Sequence, residues 1–435
     1  MMVMSHQLLR ITALRQAMQT VPVDVVYIRS LSNIAWITGF DKVFDTEQAH
    51  AVLVSPEKIL IHSDSRYFEA LEREASSSEI EVDAHKISHA RVLFDFVRDY
   101  CAHQTSDHLD STATDNASDE EFAVRESFSK NTHALIRIGI EDSLTLAEFH
   151  LLEKVFDQAS HSSELEDSSQ NIDDNFQEQT GDSSLCSFDF EFVELSSFIE
   201  KLREVKDTQE LATMKKAQAI TDRAFSRIID FMKEGMTERQ VQLQLDTFMF
   251  EEGAEGLAFD TIVATGAHAS SPHAIPGDAV LRSGDAVVMD FGAKYGGYCS
   301  DMTRTVFIGE PSEDLKQAWH TLQHVNEACE KALKAGVEAS SVHQLAEDML
   351  AEAGYKDKMG HSLGHSVGID IHESPALSPS NKKPLCVGNV VTVEPGIYIP
   401  GQFGMRLEDF GVVTSEGFDV FTKSSHKMFI IEKLN

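Results

Sequence analysis

The sequence predicts two successive domains, an α/β domain over residues 1–196 and an α+β domain over residues 197–435. Three observations support this fold class. Strand-like apolar runs alternate with helical periodicity in the first part, as is typical of α/β domains. Long amphipathic helices followed by paired strands occupy the second part. The pattern changes near Ser196–Asp207, and 435 residues suffice for two separate cores.

The predicted elements of the first domain alternate along the chain. The N-terminal stretch MMVMSHQLLRITALRQAMQ has the spacing of an amphipathic helix and lacks the apolar core of a signal peptide. Short apolar runs predict strands at Asp24–Arg29, Ala49–Val54, Lys58–His62, Ile80–Ala84 and Ile136–Ile140. Helical periodicity predicts helices at Arg66–Ala75, Ala90–Cys101 and Leu144–Phe156.

Two acidic segments interrupt this domain, near residues 104–132 and 157–190. The first contains seven acids and two bases, and the second contains nine acids and no base. Both are rich in Ser, Asn and Gln and poor in bulky residues, a composition that cannot bury a core. We interpret them as surface insertions. A docking segment for a basic partner is the alternative, and no motif supports it.

The second domain begins with helices and ends with strands. Thr208 is a candidate N-cap for the first long helix, with Glu210 in its first turn. Further helices are predicted at Thr237–Glu252, Glu313–Ala335 and Ser341–Ala353. Strands are predicted at Phe259–Ala264, Ala286–Phe291 and Thr303–Ile308, and more strands close the chain.

Composition excludes several classes of partner. The formal net charge of −34 argues against nucleic acid and against an anionic membrane surface. No apolar run reaches membrane-spanning length. The five cysteines are odd in number, scattered and free of any CxxC pair, which fits reduced thiols in a cytoplasmic protein.

The stretch VVMDFGAKYGGYCSDMTRT places two aspartates in one apolar hairpin. A turn at Tyr295-Gly296 sets Asp290 directly opposite Asp301. Like charges across a strand pair repel, and buried unpaired carboxylates cost still more free energy. We therefore expect a cation between the two carboxylates.

A second hairpin, VVTVEPGIYIPGQFGMRLEDFGVVT, repeats the arrangement with glutamates. A loop centred on Gly401 sets Glu394 opposite Glu408. Two acidic pairs in two apolar hairpins are much less easily explained as accidents than one pair.

Histidines cluster in the stretch HSLGHSVGIDIHESP. Gly364, Gly368 and the β-branched residues predict an extended segment, in which His361 and His365 share a face. His372 then points to the other face unless a bulge intervenes. A further histidine, His273, lies between two prolines in ATGAHASSPHAIPG.

Four carboxylates and an imidazole suit two divalent cations, Mn²⁺, Co²⁺ or Zn²⁺. Two bridged cations activate a shared water and polarise a carbonyl, which indicates hydrolysis of an amide or a phosphate. The histidines beside the carboxylates favour the amide, because a phosphate site more often contains an Arg or Lys clamp.

The order Asp, Asp, His, Glu, Glu, together with HSLGHSVGIDIHE and EPGIY, resembles the pita-bread metallopeptidases. Among these the chain is most similar to Xaa-Pro peptidases, namely bacterial aminopeptidase P and prolidase. The resemblance covers residues 197–435, and the first domain resembles the creatinase-type N-terminal domain of the same enzymes. It implies an α/β creatinase-type domain followed by a pita-bread α+β catalytic domain.

The resemblance also implies roles for nine residues. Metal ligands fall on Asp290, Asp301, His365, Glu394 and Glu408, with Asp301 and Glu408 bridging two ions. Residues that bind the substrate or assist catalysis fall on His273, His361, His372, Glu394 and Arg406. Glu394 would take a proton from a metal-bridging water, and Arg406 would orient a ligand carboxylate. Ser362 and Ser366 stand where many relatives have glycine, a tolerable difference in size.

The resemblance implies a homodimeric hydrolase that contains two divalent metal ions, Mn²⁺ ahead of Co²⁺ or Zn²⁺, and cleaves proline-containing peptides. The cysteines indicate that it is cytoplasmic. Aminopeptidase activity on peptides longer than two residues is the main hypothesis, because no free cation within the motifs could bind the carboxylate of a dipeptide. Prolidase is the first alternative. Three other members of the superfamily are weaker alternatives. Methionine aminopeptidases usually lack this N-terminal domain. Creatinase-type amidinohydrolases work without metals and non-catalytic pita-bread binding modules lose ligands, whereas this chain retains all five.

Overall fold

The structure is a computed structural model that describes residues 6–40, 42–110, 134–161 and 188–432. The chain divides into two units, Met1–Ile199 and Glu200–Asn435. The sequence placed the division at residue 196, three residues earlier.

A six-stranded mixed sheet forms the first unit, in the order β4-β3-β2-β1-β5-β6. Its strands are β1 Val25–Ile28, β2 His50–Val54, β3 Ile59–Ser63, β4 Ile80–Asp83, β5 Ala134–Glu141 and β6 Phe188–Leu195. Its helices are α1 His6–Met18, α2 Leu31–Thr38, α3 Phe68–Ala75, α4 His89–Asp110 and α5 Leu146–His161. Helices α4 and α5 cover the sheet, where Leu93 and Phe156 are buried against Val25 and Ile138. The predicted α/β class is confirmed.

The edges of both predicted acidic insertions belong to regular elements. Helix α4 continues to Asp110, α5 continues to His161, and β6 begins at Phe188. Strand β6 pairs in parallel with β5 over its whole length. The run FDFEFVEL has the two-residue alternation of a strand, which its acidic composition obscured in the sequence. The prediction was therefore too wide at these edges. Residues 111–133 and 162–187, the remainder of both insertions, lie outside the described residues.

Three of the long helices in the second unit begin at an N-cap whose side chain accepts a backbone hydrogen bond. The helices of this unit are α6 Phe198–Arg203, which crosses the unit boundary, α7 Thr208–Phe231, α8 Glu238–Glu251, α9 Glu313–Ala332 and α10 Ala339–Glu352. The N-cap of α7 is Asp207, whose side chain accepts from the backbone of Glu210 while Glu210 bonds back. Thr208 was therefore wrongly predicted as the cap, by one residue. Thr237 caps α8 with the same reciprocal bonds.

Short strands supply the rest of the second unit. They are β7 Gly256–Leu257, β8 Ile262–Thr265, β9 Ala286–Phe291, β10 Ala293–Tyr295, β11 Tyr298–Cys299, β12 Met302–Ile308, β13 Gly364–Ser366, β14 Glu373–Leu377, β15 Val390–Val393, β16 Gly396–Ile399, β17 Phe403–Arg406, β18 Asp409–Val413, β19 Phe418–Val420 and β20 Phe429–Ile431. They form sheets ordered β20-β12-β9-β8, β11-β10-β7 and β15-β18-β19, and the pairs β13-β14 and β16-β17.

Two apolar clusters support these strands. In one, α9 and α10 bury Trp319 and Leu350 against Val393 and Leu407. In the other, α7 and α8 bury Phe225 and Leu245 against β9. Residues 393 and 407 each precede a predicted ligand, so the core holds that part of the backbone rigid. No helix among the described residues has the length and apolarity required to cross a bilayer.

Candidate metal centre and active site

All nine predicted site residues line one cavity of about 730 Å³ in the second unit. They come from elements far apart in the chain: the segment after β8, strand β9, the residue before β12, the β13-β14 region and the β15-β18 region. The structure therefore brings together side chains that the sequence separates by up to 135 positions, from His273 to Glu408.

The β9-β12 pair presents Asp290 and Asp301 to this cavity in a register that differs from the predicted one. Asp290 lies opposite Thr303 and not opposite Asp301. The turn is centred on Gly296-Gly297, whose φ angles of 55° and 78° meet the need of a two-residue hairpin for positive φ. The register thus moves by two residues. Because an even shift keeps side chains on the same face, both aspartates still reach the cavity.

The second acidic pair has the predicted register. Val393 lies opposite Asp409, and Gly396 lies opposite Arg406. These pairs flank Glu394 and Glu408 on both sides, so the prediction for this hairpin is confirmed. The amide of Asn326 donates to the carbonyls of Val393 at 2.9 Å and Leu407 at 3.5 Å. It joins the two residues that precede the glutamates.

His365 has the tautomer of a metal ligand. Its Nδ1 lies 3.1 Å from the carbonyl oxygen of Ser366, which can only accept, so Nδ1 carries the proton. The lone pair of Nε2 then faces Oδ2 of Asp301 and Oε1 of Glu394, each at 3.5 Å. These distances are long for hydrogen bonds and suit neighbouring ligands of one cation.

Within the described part of the chain, the four carboxylates have fewer cationic partners than their charge requires. Ligand atoms of Asp301, His365 and Glu408 lie within 4.8 Å of one another. Oδ1 of Asp290 is buried and has no hydrogen-bond partner. Burial and the charges of Asp290 and Glu394 raise the pKa of Asp301 well above its ordinary range. Burial likewise raises the pKa values of Glu394 and Glu408.

This donor set fits divalent cations. A buried group of four carboxylates is unfavourable unless positive charge compensates it, and the imidazole presents a lone pair rather than a proton. Oxygen donors with one nitrogen match the harder and borderline divalent ions.

Arg406 is a cationic side chain that pairs with one of these carboxylates, that of Asp290. Its guanidinium bonds to Asp290, to the hydroxyl of Thr303 at 2.8 Å and to the hydroxyl of Tyr398 at 2.9 Å. The Thr303 hydroxyl in turn donates to Oε2 of Glu408 at 2.7 Å. Thr303 therefore links Arg406 to a predicted bridging ligand. Its position two residues after Asp301, on the same strand face, was the available sequence signal.

The other histidines occupy different places around the cavity. Nδ1 of His361 lies 2.8 Å from the carbonyl of Ser362, so Nε2 accepts from Tyr398 at 3.2 Å. The ring of His372 lies 4.4 Å from that of His365, centroid to centroid. The irregularity in the β13-β14 pairing brings these two rings together despite their odd spacing. Burial lowers the pKa of both His361 and His372, which favours neutral rings.

A buried ion cluster holds the hairpin that carries His365 and His372. Nζ of Lys206 bonds to Oγ of Ser366 at 2.9 Å and to Glu373 at 3.0 Å. Arg203 bonds to Glu373 and, at 2.7 Å, to Asp370. Burial opposes the charge on Glu373, but Lys206 and Arg203 keep its pKa below the ordinary value. Sequence reasoning missed this cluster, because about 160 residues separate its two sides.

Comparisons with known proteins agree with this fold. Residues 212–415 match metallopeptidase family M24, and residues 10–174 match the creatinase/prolidase N-terminal domain. An uncharacterized peptidase of Bacillus subtilis, YqhT, is 42% identical over 243 residues, which are 56% of this chain and 69% of that protein. An uncharacterized peptidase of Staphylococcus aureus, SAS1635, is 37% identical over 231 residues, 53% of this chain and 66% of that protein.

Two solved structures extend the likeness to nearly the whole chain. A Xaa-Pro dipeptidase from Bacillus anthracis is 30% identical with a TM-score of 0.76, covering 98% of this chain and 99% of that chain. An X-Pro aminopeptidase from Thermotoga maritima is 28% identical with a TM-score of 0.71, covering 96% and 100%. The fold and site define a metal-dependent peptidase. The chain belongs to metallopeptidase family M24 and carries a creatinase-type N-terminal domain.

Proposed function

We propose that the protein is a dinuclear-metal peptidase that hydrolyses the bond between an N-terminal residue and proline. The observation that carries this proposal is the convergence of four carboxylates and a ligand-type imidazole on one cavity. The likeness to both a Xaa-Pro dipeptidase and an X-Pro aminopeptidase supports proline specificity.

In this proposal Asp290, Asp301, His365, Glu394 and Glu408 would hold the two ions. When bound, the two cations would lower the pKa of a water and polarise the scissile carbonyl. We propose Mn²⁺ as the native ion, supported by the oxygen-rich donor set, with Co²⁺ or Zn²⁺ as alternatives.

Glu394 is the proposed proton carrier. Its Oε1 accepts from the hydroxyl of Thr392 at 3.2 Å, which orients the carboxylate in the cavity. Glu394 takes a proton from the attacking water and delivers it to the proline nitrogen, which leaves as a secondary amine. Proline suits such a site, because no step requires a hydrogen bond from an N–H that proline lacks.

The remaining site residues bind and orient the peptide in this proposal. His273 and His372, which line the cavity, contact the substrate. In the present network Tyr398 accepts from Arg406 and donates to His361. Stabilisation of an oxyanion by His361 therefore requires a proton on its Nε2.

Two substrate lengths remain in the proposal. Aminopeptidase action on longer peptides is the first candidate, carried over from the resemblance. Xaa-Pro dipeptidase action is the second, and a specific observation favours it, because Arg239 also lines the cavity. Arg239 lies outside the motifs that the sequence analysis searched for a cation.

A homodimer in the cytoplasm, with a proline-containing peptide as its ligand and no nucleic-acid or membrane partner, remains a prediction from the sequence. Cys101, Cys299, Cys329 and Cys386 are free thiols, which supports a reducing compartment.

The test is hydrolysis of Ala-Pro-Ala, Ala-Pro and Ala-Ala-Ala by protein stripped with a chelator and reloaded with Mn²⁺, Co²⁺ or Zn²⁺. We expect cleavage only after reloading, only of the proline peptides, and none by Asp301→Ala. Full activity of stripped protein would contradict the metal mechanism, and preference for Ala-Ala-Ala would contradict proline specificity.

A further inference from the structure

Two arginines belong to the described lining of the catalytic cavity, Arg406 and Arg239. Arg406 is engaged, since its buried guanidinium bonds to Asp290, Thr303 and Tyr398. Arg304, a buried arginine of strand β12, is paired with Asp409 at 2.6 Å. A substrate anion therefore needs a different cation.

The guanidinium of Arg239 is exposed and has capacity for a further partner. Nη1 donates to the neutral Oε1 of Gln242 at 3.3 Å. Within the described part of the chain Arg239 forms no ion pair, although Asp260 lines the same cavity. Arg223, which is exposed, and Arg227, which is partly exposed, belong to the preceding helix, and both pair with Glu252. Arginine has five donors, so most of those of Arg239 remain available to a planar carboxylate.

Backbone hydrogen bonds fix Arg239 beside the segment that carries His273. The N–H of Arg239 donates to the carbonyl of Gly277 at 3.0 Å. The adjacent Glu238 is fully buried and accepts from the N–H of Gly277 at 3.1 Å. These bonds tie the first turn of α8 to the segment that carries His273 and Pro276. The guanidinium is thus attached to a rigid part of the cavity wall.

We infer that Arg239 binds the free α-carboxylate of proline in Xaa-Pro dipeptides and so makes them substrates. This inference rests on the proposed function. An α-carboxylate that leaves water for the cavity enters favourably only where a cation compensates it, because burying an unpaired charge costs free energy. A longer peptide has an uncharged amide at that point. Arg239 therefore distinguishes substrates by the charge on the proline carbonyl group.

The experiment compares Ala-Pro with its carboxamide, Ala-Pro-NH₂, on Mn²⁺-loaded protein. We expect Arg239→Ala to lower kcat/KM for Ala-Pro by about 10–100-fold, the usual worth of a charge-assisted contact, mainly through KM. For Ala-Pro-NH₂ we expect a change below about threefold, because the amide makes no such contact. Arg239→Lys should recover part of the Ala-Pro activity. Lys233→Ala is the control, because Lys233 is an exposed cation just before α8 that does not line the cavity. It should leave kcat/KM unchanged for both substrates.

Equal losses on the acid and the amide would overturn the inference, since the residue would then act generally. An unchanged KM for Ala-Pro in Arg239→Ala would overturn it as well. If wild-type protein hydrolyses Ala-Pro-NH₂ but Arg239→Ala and Lys233→Ala have the same kcat/KM for Ala-Pro, only this inference fails. If metal-loaded wild type hydrolyses no Xaa-Pro substrate, the proposed function fails and the inference with it.

Discussion

At the scale of single residues, Thr303 has the contacts of a positioning residue. Its hydroxyl accepts from Nε of Arg406 and donates to Glu408, so it directs one carboxylate oxygen of a proposed bridging ligand. Thr305, two residues further on the same strand, is equally buried but bonds only to the backbone of Arg406. The two threonines therefore provide a matched pair.

We expect Thr303→Val to weaken metal binding by about 10–100-fold, the usual effect of losing a hydrogen bond to a metal ligand. Thr305→Val should bind metal within about threefold of wild type, although both variants lose a buried hydrogen bond and some stability. Titration calorimetry of chelator-stripped protein measures the affinities. Equal losses in both variants would show that the effect is general destabilisation.

At the scale of elements, the β13-β14 hairpin depends on the segment between α6 and α7. The hairpin carries His365 and His372, and its Ser366 and Glu373 bond to Lys206. The side chain of Lys206 is 1% exposed and that of Glu373 is 7% exposed, so water cannot replace either partner. Removing one partner of a buried pair strands the charge of the other.

Lys206→Met should therefore lower the free energy of unfolding by about 3 kcal/mol at pH 7. Lys215→Met, which breaks the exposed pair with Asp419, should cost less than about 1 kcal/mol. The folded-state pKa of Glu373 lies below its ordinary value of 4.5, so its stabilisation is present above pH 4.5 and is lost as the pH falls through the folded value. The difference between Lys206→Met and wild type should shrink at acid pH. Urea unfolding curves at several pH values test this, and a constant difference would contradict it.

At the scale of the whole molecule, the metal centre joins strands from different sheets. Asp290 and Asp301 come from the β9-β12 pair, and Glu394 and Glu408 follow β15 and precede β18. Without bound cations their carboxylates repel across the middle of the second unit, with Arg406 as the nearby opposing charge. Cations that bind only the folded chain stabilise it by mass action.

We expect the Tm of the stripped protein to rise by about 5–10 °C when Mn²⁺ is present at about 100 times its Kd, a stabilisation of about 2.7 kcal/mol. Asp301→Asn should show a much smaller rise, because it lacks a full bridging carboxylate. Differential scanning calorimetry with and without Mn²⁺ measures both. An equal Tm in the two conditions would mean that the carboxylates do not share a cation.

The sequence by itself determined the two-domain fold class and most of the helices and strands, and it singled out the four carboxylates proposed as ligands. These features follow from short-range information. Apolar spacing predicts the type of each element, and the position of the turn in each acidic hairpin predicts which residues pair. The register around Glu394 and Glu408 was predictable for that reason, whereas the neighbouring choice of Gly296-Gly297 over Tyr295-Gly296 moved Asp290 opposite Thr303.

Only the tertiary structure decided which distant groups support the site. Lys206 meets Glu373 across 167 positions, and Asn326 meets Val393 across 67. Arg239 reaches the cavity because a backbone bond to Gly277 places the start of α8 there, although no motif includes it. Such contacts arise from packing between elements, and a charged residue in a sequence does not reveal whether folding will bury it beside a partner or leave it open to a substrate.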